Sequence, residues 1–130
     1  MNTTHTDHAM QQAQLFRLLM HPTRIAILNI LRHGEECVCH LEAHLGQRQA
    51  YISQQLAVLR NAQLIADRRD GLNIFYHIVR PEVITLLDAA AAMVDMPNHA
   101  LMSIAHCPCP KCTIVHTKEK YHAAVGENAI

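Results

Sequence analysis

A chain of 130 residues, half of them apolar but only 4% aromatic, is long enough for one domain with a modest core, and its aliphatic, alanine-rich make-up favours packed helices. Eleven Lys and Arg balance eleven Asp and Glu, which excludes a globally basic nucleic-acid binder and leaves any DNA contact to local charge. No apolar run nears the roughly 20 residues that span a bilayer, and the polar residues 1–10 contain no signal-like apolar segment, so the expectation is a cytoplasmic protein without a membrane partner.

From residue 7 to 20, Met10, Ala13, Leu15, Phe16, Leu18 and Leu19 recur with helical spacing. His21-Pro22 closes that helix, because a residue before proline is pushed out of helical geometry, and Pro22 then suits the first turn of the next one. That second helix, residues 22–32, carries Ile25, Ala26, Leu28, Ile30 and Leu31 on most of its sides, which predicts a central position, with Gly34 as its stop. A short helix over residues 37–45 follows, with Val38, Leu41 and Leu45 as its core stripe and Gly46 at its end. On a helical wheel Cys37 and Cys39 fall about 100° to either side of Val38 and flank that stripe.

Residues 49–61 predict a further helix that buries Ile52, Leu56 and Leu59 and presents Ala50, Ser53, Gln54 and Ala57 outward. A small, amide-rich face of this kind suits a major groove, where Gln reads adenine and Ser contacts bases or phosphates. Short helix, tight Gly turn and second helix form the layout of a helix-turn-helix. Two strands follow, over residues 64–68 and 73–79, around an Asp70-Gly71 turn. A basic-tipped hairpin behind such a helix reads as a wing, and Arg48, Arg60, Arg68 and Arg69 would gather positive charge on one side of a neutral protein. The final long helix, from Pro81 to about residue 95, carries Val83, Ile84, Leu86, Leu87, Ala90, Met93 and Val94, more apolar surface than one small domain covers. It predicts either a two-fold dimer made with the first helix or packing across its own domain.

Beyond Pro97 a short helix over residues 98–106 is expected, and the prolines among Cys107, Cys109 and Cys112 preclude regular helix there. The organisation is therefore a domain at residues 1–97 and a Cys-containing, partly flexible extension at 98–130. The fold class is mainly α with a small β-hairpin, a dimeric winged helix-turn-helix. Five Cys without a secretion signal read as reduced thiols, more often ligands or reactive groups than disulfides.

Residues 15–87 resemble the ArsR/SmtB family of winged-helix metal-responsive repressors. The resemblance rests on Leu15 to Ile25, on Cys37-Val38-Cys39-His40-Leu41, similar to the thiol motif of the family's arsenic, cadmium and lead sensors, on Ile52-Ser53-Gln54-Gln55-Leu56 with Leu59-Arg60, and on Arg68-Arg69-Asp70-Gly71 with Phe75-Tyr76. It implies a homodimer that binds operator DNA in the apo state and releases it when metal binds, not an enzyme and with no organic small-molecule substrate. DNA contacts would come from Arg48, Gln49, Ala50, Ser53, Gln54, Gln55, Arg60, Arg68 and Arg69. The chain departs from the family pattern at Arg48, where a capping Ser is frequent, at Gln63, where Gly is frequent, and at Glu42, the position of a third Cys in some arsenic sensors.

Thiolates are soft ligands, so the expected effector is a thiophilic ion: Cd(II), Pb(II), As(III) or Zn(II). Cys37 and Cys39 supply two sulfurs, and Cys107, Cys109 and Cys112 are the natural suppliers of a third and fourth, within the same site or as a second one. Because residues at i and i+2 of a helix diverge, one ion on Cys37 and Cys39 is expected to distort that helix's first turn and tilt the reading helix. Alternative readings are a thiol redox or persulfide sensor of the same fold and, through Cys109-Pro110-Lys111-Cys112, a thiol oxidoreductase or metal carrier.

Overall fold

The computed structural model describes residues 3–94. The helix expected at 98–106, the boundary drawn at residue 97 and Cys107, Cys109 and Cys112 lie outside the described residues. Five helices and a small antiparallel sheet run in the order α1 (Thr3–Leu19), α2 (Pro22–Leu31), β1 (Glu36–Cys37), α3 (Val38–Leu45), α4 (Gln49–Asn61), β2 (Ile65–Asp70), β3 (Asn73–Ile78) and α5 (Glu82–Met93).

The α1–α2 corner is set by proline chemistry: His21 is extended at φ −151° and ψ 114°, and Pro22 opens α2. α2 is central, as its pattern predicts, and buries Ile27, Leu28, Ile30 and Leu31. Its Ile27 and Leu28 are fully enclosed together with Leu41, Ile52, Leu56, Leu59 and Ile65, which places the core between α2, α3, α4 and the base of β2. By contrast α1 and α5 remain thinly covered. Leu19 is the one buried residue among those described in α1, and α5 buries Val83 and Leu87, while Met10, Phe16, Met93 and Val94 are exposed.

α3 and α4 are joined through Gly46, which takes the left-handed φ of +63° that stops α3. α4 ends in a Schellman motif, with the Leu64 N–H donating to the Leu59 carbonyl and the Gln63 N–H to that of Arg60. Its left-handed residue is Gln63, at φ +62°. The hairpin is tighter than the sequence pattern predicts, since β2 and β3 pair out to Asp70↔Asn73 and leave only Gly71 and Leu72 as the connection. Gly71 supplies the positive φ, +61°, that this turn needs.

The sheet has three strands in the order β1-β3-β2, not two. Two-residue β1 pairs antiparallel with β3 through Glu36↔Tyr76 and Cys37↔Phe75, too short to leave any periodic trace in the sequence. Alternation then divides the faces. Ile74, Tyr76 and Ile78 meet the helical core, whereas Phe75 packs on the opposite side with Cys37 and Cys39. Among the described residues no helix is long and apolar enough to cross a membrane.

Candidate thiol site and nucleic-acid interface

β1 changes the geometry of the thiol pair. The sequence pattern predicts Cys37 inside the helix, its sulfur diverging from that of Cys39; instead strand pairing holds Cys37 extended at φ −87° and ψ 163°, as the N-cap of α3. The two Sγ atoms converge into direct contact. An ion shared by this pair therefore has no need to unwind the first helical turn, and the expected distortion of α3 is withdrawn. Cys37 Sγ also accepts the His40 backbone N–H at 3.4 Å. Cys37 is 2% exposed, yet it belongs with Phe75 to a small cluster separate from the helical core.

Two convergent sulfurs, one capped by a helix N-terminal N–H, suit a soft cation or metalloid, which binds thiolates in preference to oxygen donors. Among the described residues no group of three or more His, Cys, Asp and Glu is gathered as a metal site. His40 is turned towards Glu36, Nδ1 to Oε2 3.6 Å, and its ring stacks on His44 with centroids 6.2 Å apart.

The same face of the sheet leads to the wing. Arg68, opposite Phe75 in the register, sets its guanidinium 5.0 Å from the centre of the Phe75 ring. It donates from Nε to both Glu35 carboxylate oxygens at 3.2 and 3.1 Å, and from Nη2 to Oε1 at 2.5 Å. The hydrogen bonds to Glu35 raise the Arg68 pKa further above its ordinary value. His77 Nδ1 lies 3.7 Å from the same carboxylate. Glu35 and Phe75 thus play parts that sequence reasoning missed, because neither belongs to a periodic stripe or a ligand motif.

On α4, Gln49, Ala50, Ser53, Gln54 and Arg60 are exposed, with Arg48 just before them, and Ile52, Leu56 and Leu59 are buried as the pattern predicts. Gln55 is a correction. It is 7% exposed and accepts a hydrogen bond from Arg24 Nε at 2.8 Å, so it faces the protein and is unavailable to a base edge. Arg24 also donates to the Leu18 carbonyl at 3.0 Å, tying α1, α2 and α4 together. The signal was there: residue 55 lies on the 52-55-56-59 arc, and a lone Arg in an otherwise apolar helix calls for an internal partner. Beside it the Tyr51 hydroxyl is 3.3 Å from both His21 Nε2 and Thr23 Oγ1.

The four arginines expected to gather positive charge do not contribute alike. Arg60 lies 3.8 Å from Asp67 and Arg68 is engaged by Glu35, whereas exposed Arg48 and Arg69 enter neither pair.

Residues 21–67 match the family model described as bacterial regulatory protein, arsR family. The chain is 38% identical over 93 residues to the biofilm growth-associated repressor of Agrobacterium fabrum, an alignment covering 72% of this chain and 80% of that protein. It is 42% identical over 66 residues to the arsenical resistance operon repressor of Escherichia coli, covering 50% of this chain and 56% of that one. The crystal structure of the AntR antimony-specific transcriptional repressor superposes with a TM-score of 0.62 at 33% identity, over 67% of this chain and 79% of that one. These relatives are regulators, not enzymes, which removes the oxidoreductase reading of the tail motif. With the helix-turn-helix and wing on α3, α4, β2 and β3, the chain belongs to the ArsR/SmtB family of winged helix-turn-helix transcriptional repressors.

Proposed function

We propose that this repressor senses a thiophilic metal or metalloid, Cd(II), Pb(II), As(III) or Zn(II), through Cys37 and Cys39. The observation that carries the reading is the convergence of the two sulfurs at the β1–α3 junction. The names of the arsenical and antimony repressors among its relatives support the same effector class. Cys107, Cys109 and Cys112 are the thiols that would raise the donor number to three or four. Three sulfurs suit As(III) or Pb(II), and four tetrahedral ones suit Cd(II) or Zn(II).

The DNA contacts in this reading are Arg48, Gln49, Ala50, Ser53, Gln54, Arg60, Arg68 and Arg69. A homodimer formed through the exposed apolar residues of α1 and α5, Met10, Phe16, Met93 and Val94, would present two such surfaces to a palindromic operator. The test is titration of the reduced protein on operator DNA with each ion, read beside sulfur-to-metal absorption. Release of DNA at stoichiometric ion is the expected result; unchanged DNA affinity with all four ions refutes it.

A thiol redox or persulfide sensor is the second reading, favoured by the same sulfur proximity. It requires a two-electron oxidant or a sulfane-sulfur donor in place of an ion. Loss of DNA binding on peroxide or polysulfide treatment, recovery on reduction and indifference to all four ions would select it.

A further inference from the structure

Cys37, Phe75 and Arg68 stand in one row across the sheet. Cys37↔Phe75 and Phe75↔Arg68 are directly opposed partners in the β1–β3 and β3–β2 ladders, so all three side chains leave the same face. Phe75 is 4% exposed on this outer face, with the thiols on one side of it and the Arg68 guanidinium on the other. Glu35, two residues before Cys37, grips Arg68 and closes the circuit back to β1. The thiol pair and the wing arginine therefore share one aromatic ring.

We propose that Phe75 is a positioning residue through which the state of the Cys37–Cys39 pair sets the placement of Arg68 on the wing. The inference rests on the effector reading above and adds its route to DNA. The two sulfurs face each other in direct contact, and an ion held between them takes the place of the thiol protons and draws both sulfurs to one centre. Taking up the ion therefore re-seats the Cys37 sulfur beside the Phe75 ring. Cys37 packs on Phe75, and a close-packed neighbour passes such a change on. The ring in turn carries Arg68, whose seat consists of Phe75 and Glu35. A change of sulfur state thus reaches the wing across two strand pairings, and neither α3 nor the helical core has to deform.

The experiment uses the full chain, reduced and 15N-labelled, with Cd(II) as probe. The Arg68 side-chain Nε–H signal carries the ring-current shift of Phe75, and the Arg69 signal, from the opposite face, is the internal control. In the wild type, stoichiometric Cd(II) is expected to shift the Arg68 signal and leave that of Arg69 in place. In Phe75→Leu, Cd(II) is expected to give the same sulfur-to-metal absorption, while the cadmium-dependent loss of DNA affinity shrinks at least fivefold. Phe75→Met serves if the leucine variant does not fold.

An unmoved Arg68 signal in cadmium-loaded wild type overturns the proposal, as does full cadmium coupling in the Phe75 variant. An Arg68 shift without release of DNA upholds the route and instead overturns the metal-release reading. Absence of sulfur-to-metal absorption in the wild type overturns both.

Discussion

Gln54 and Gln55 are adjacent in sequence and opposite in fate, and substituting each by Ala separates reading from folding. Gln54 is exposed on α4, so truncation leaves the core intact. A well-placed amide on adenine is worth about 1 to 3 kcal/mol of discrimination, so Gln54→Ala is expected to weaken specific operator binding roughly 5- to 150-fold. Its melting temperature and metal affinity should be unchanged. Gln55→Ala removes the acceptor of the 2.8 Å Arg24 hydrogen bond from a site that is 7% exposed. Hydrogen bonds to charged groups contribute about 1.5 to 3 kcal/mol, and Arg24 keeps its second acceptor at Leu18, so the lower half of that range applies. For a domain of this size, at about 4 °C per kcal/mol, that corresponds to a fall in Tm of roughly 6 to 9 °C. Thermal unfolding and fluorescence anisotropy on operator DNA measure the two effects. A destabilised Gln54→Ala, or a fully stable Gln55→Ala with impaired base discrimination, would reverse the assignment of the two faces and refute the orientation of α4.

Replacing Cys37 and Cys39 together by Ser is expected to leave apo DNA binding intact and abolish release by Cd(II) in an anisotropy titration; retained release would move the effector site elsewhere. Because bound thiols must be deprotonated, the cadmium concentration needed for release should rise as pH falls from 8 to 6, and a flat response would speak against thiolate ligation. Gln63→Gly relieves a left-handed residue at the end of α4, φ +62°, and chemical denaturation should show a gain of about 0.5 to 1 kcal/mol. Phe16→Glu on the exposed face of α1 is expected to convert dimer to monomer by analytical ultracentrifugation while leaving the helical CD spectrum unchanged.

The helices were legible because each carries its own punctuation: Pro22 opening α2, Gly46 closing α3, and the Ile52, Leu56 and Leu59 repeat within α4. The hairpin was legible from Gly71, though pairing through Asp70 and Asn73 outran the pattern. What escaped was non-local. β1 consists of two residues whose extended shape comes from β3, almost forty positions later in the chain. Local propensity therefore extended α3 back over Cys37 and pointed its sulfur the wrong way. Gln55 was misplaced for a related reason, since a polar residue reads as exposed until its partner Arg24, on a different helix, is known. The thiol motif was correct as an inventory of ligands; its geometry belonged to the tertiary fold.

Where the thiols sit bears on how an effector acts without unfolding its receptor. Leu41 on α3 is 0% exposed and belongs to the main core, whereas Cys37, at the N-cap of the same helix, packs in the satellite cluster with Phe75. Leu41→Ala should therefore cost about 2 to 5 kcal/mol, as for other large-to-small core changes. Cys37→Ala deletes one sulfur from a cluster at the sheet's outer face and the weak cap to the His40 N–H at 3.4 Å, for an expected cost of about 1 kcal/mol. Urea denaturation of the two variants measures the difference. Equal destabilisation would mean that the sulfurs brace the core, and that displacing them by a bound ion would threaten the fold itself. A clear gap between the two would leave Cys37 able to move while α2, α3 and α4 hold the reading surface together.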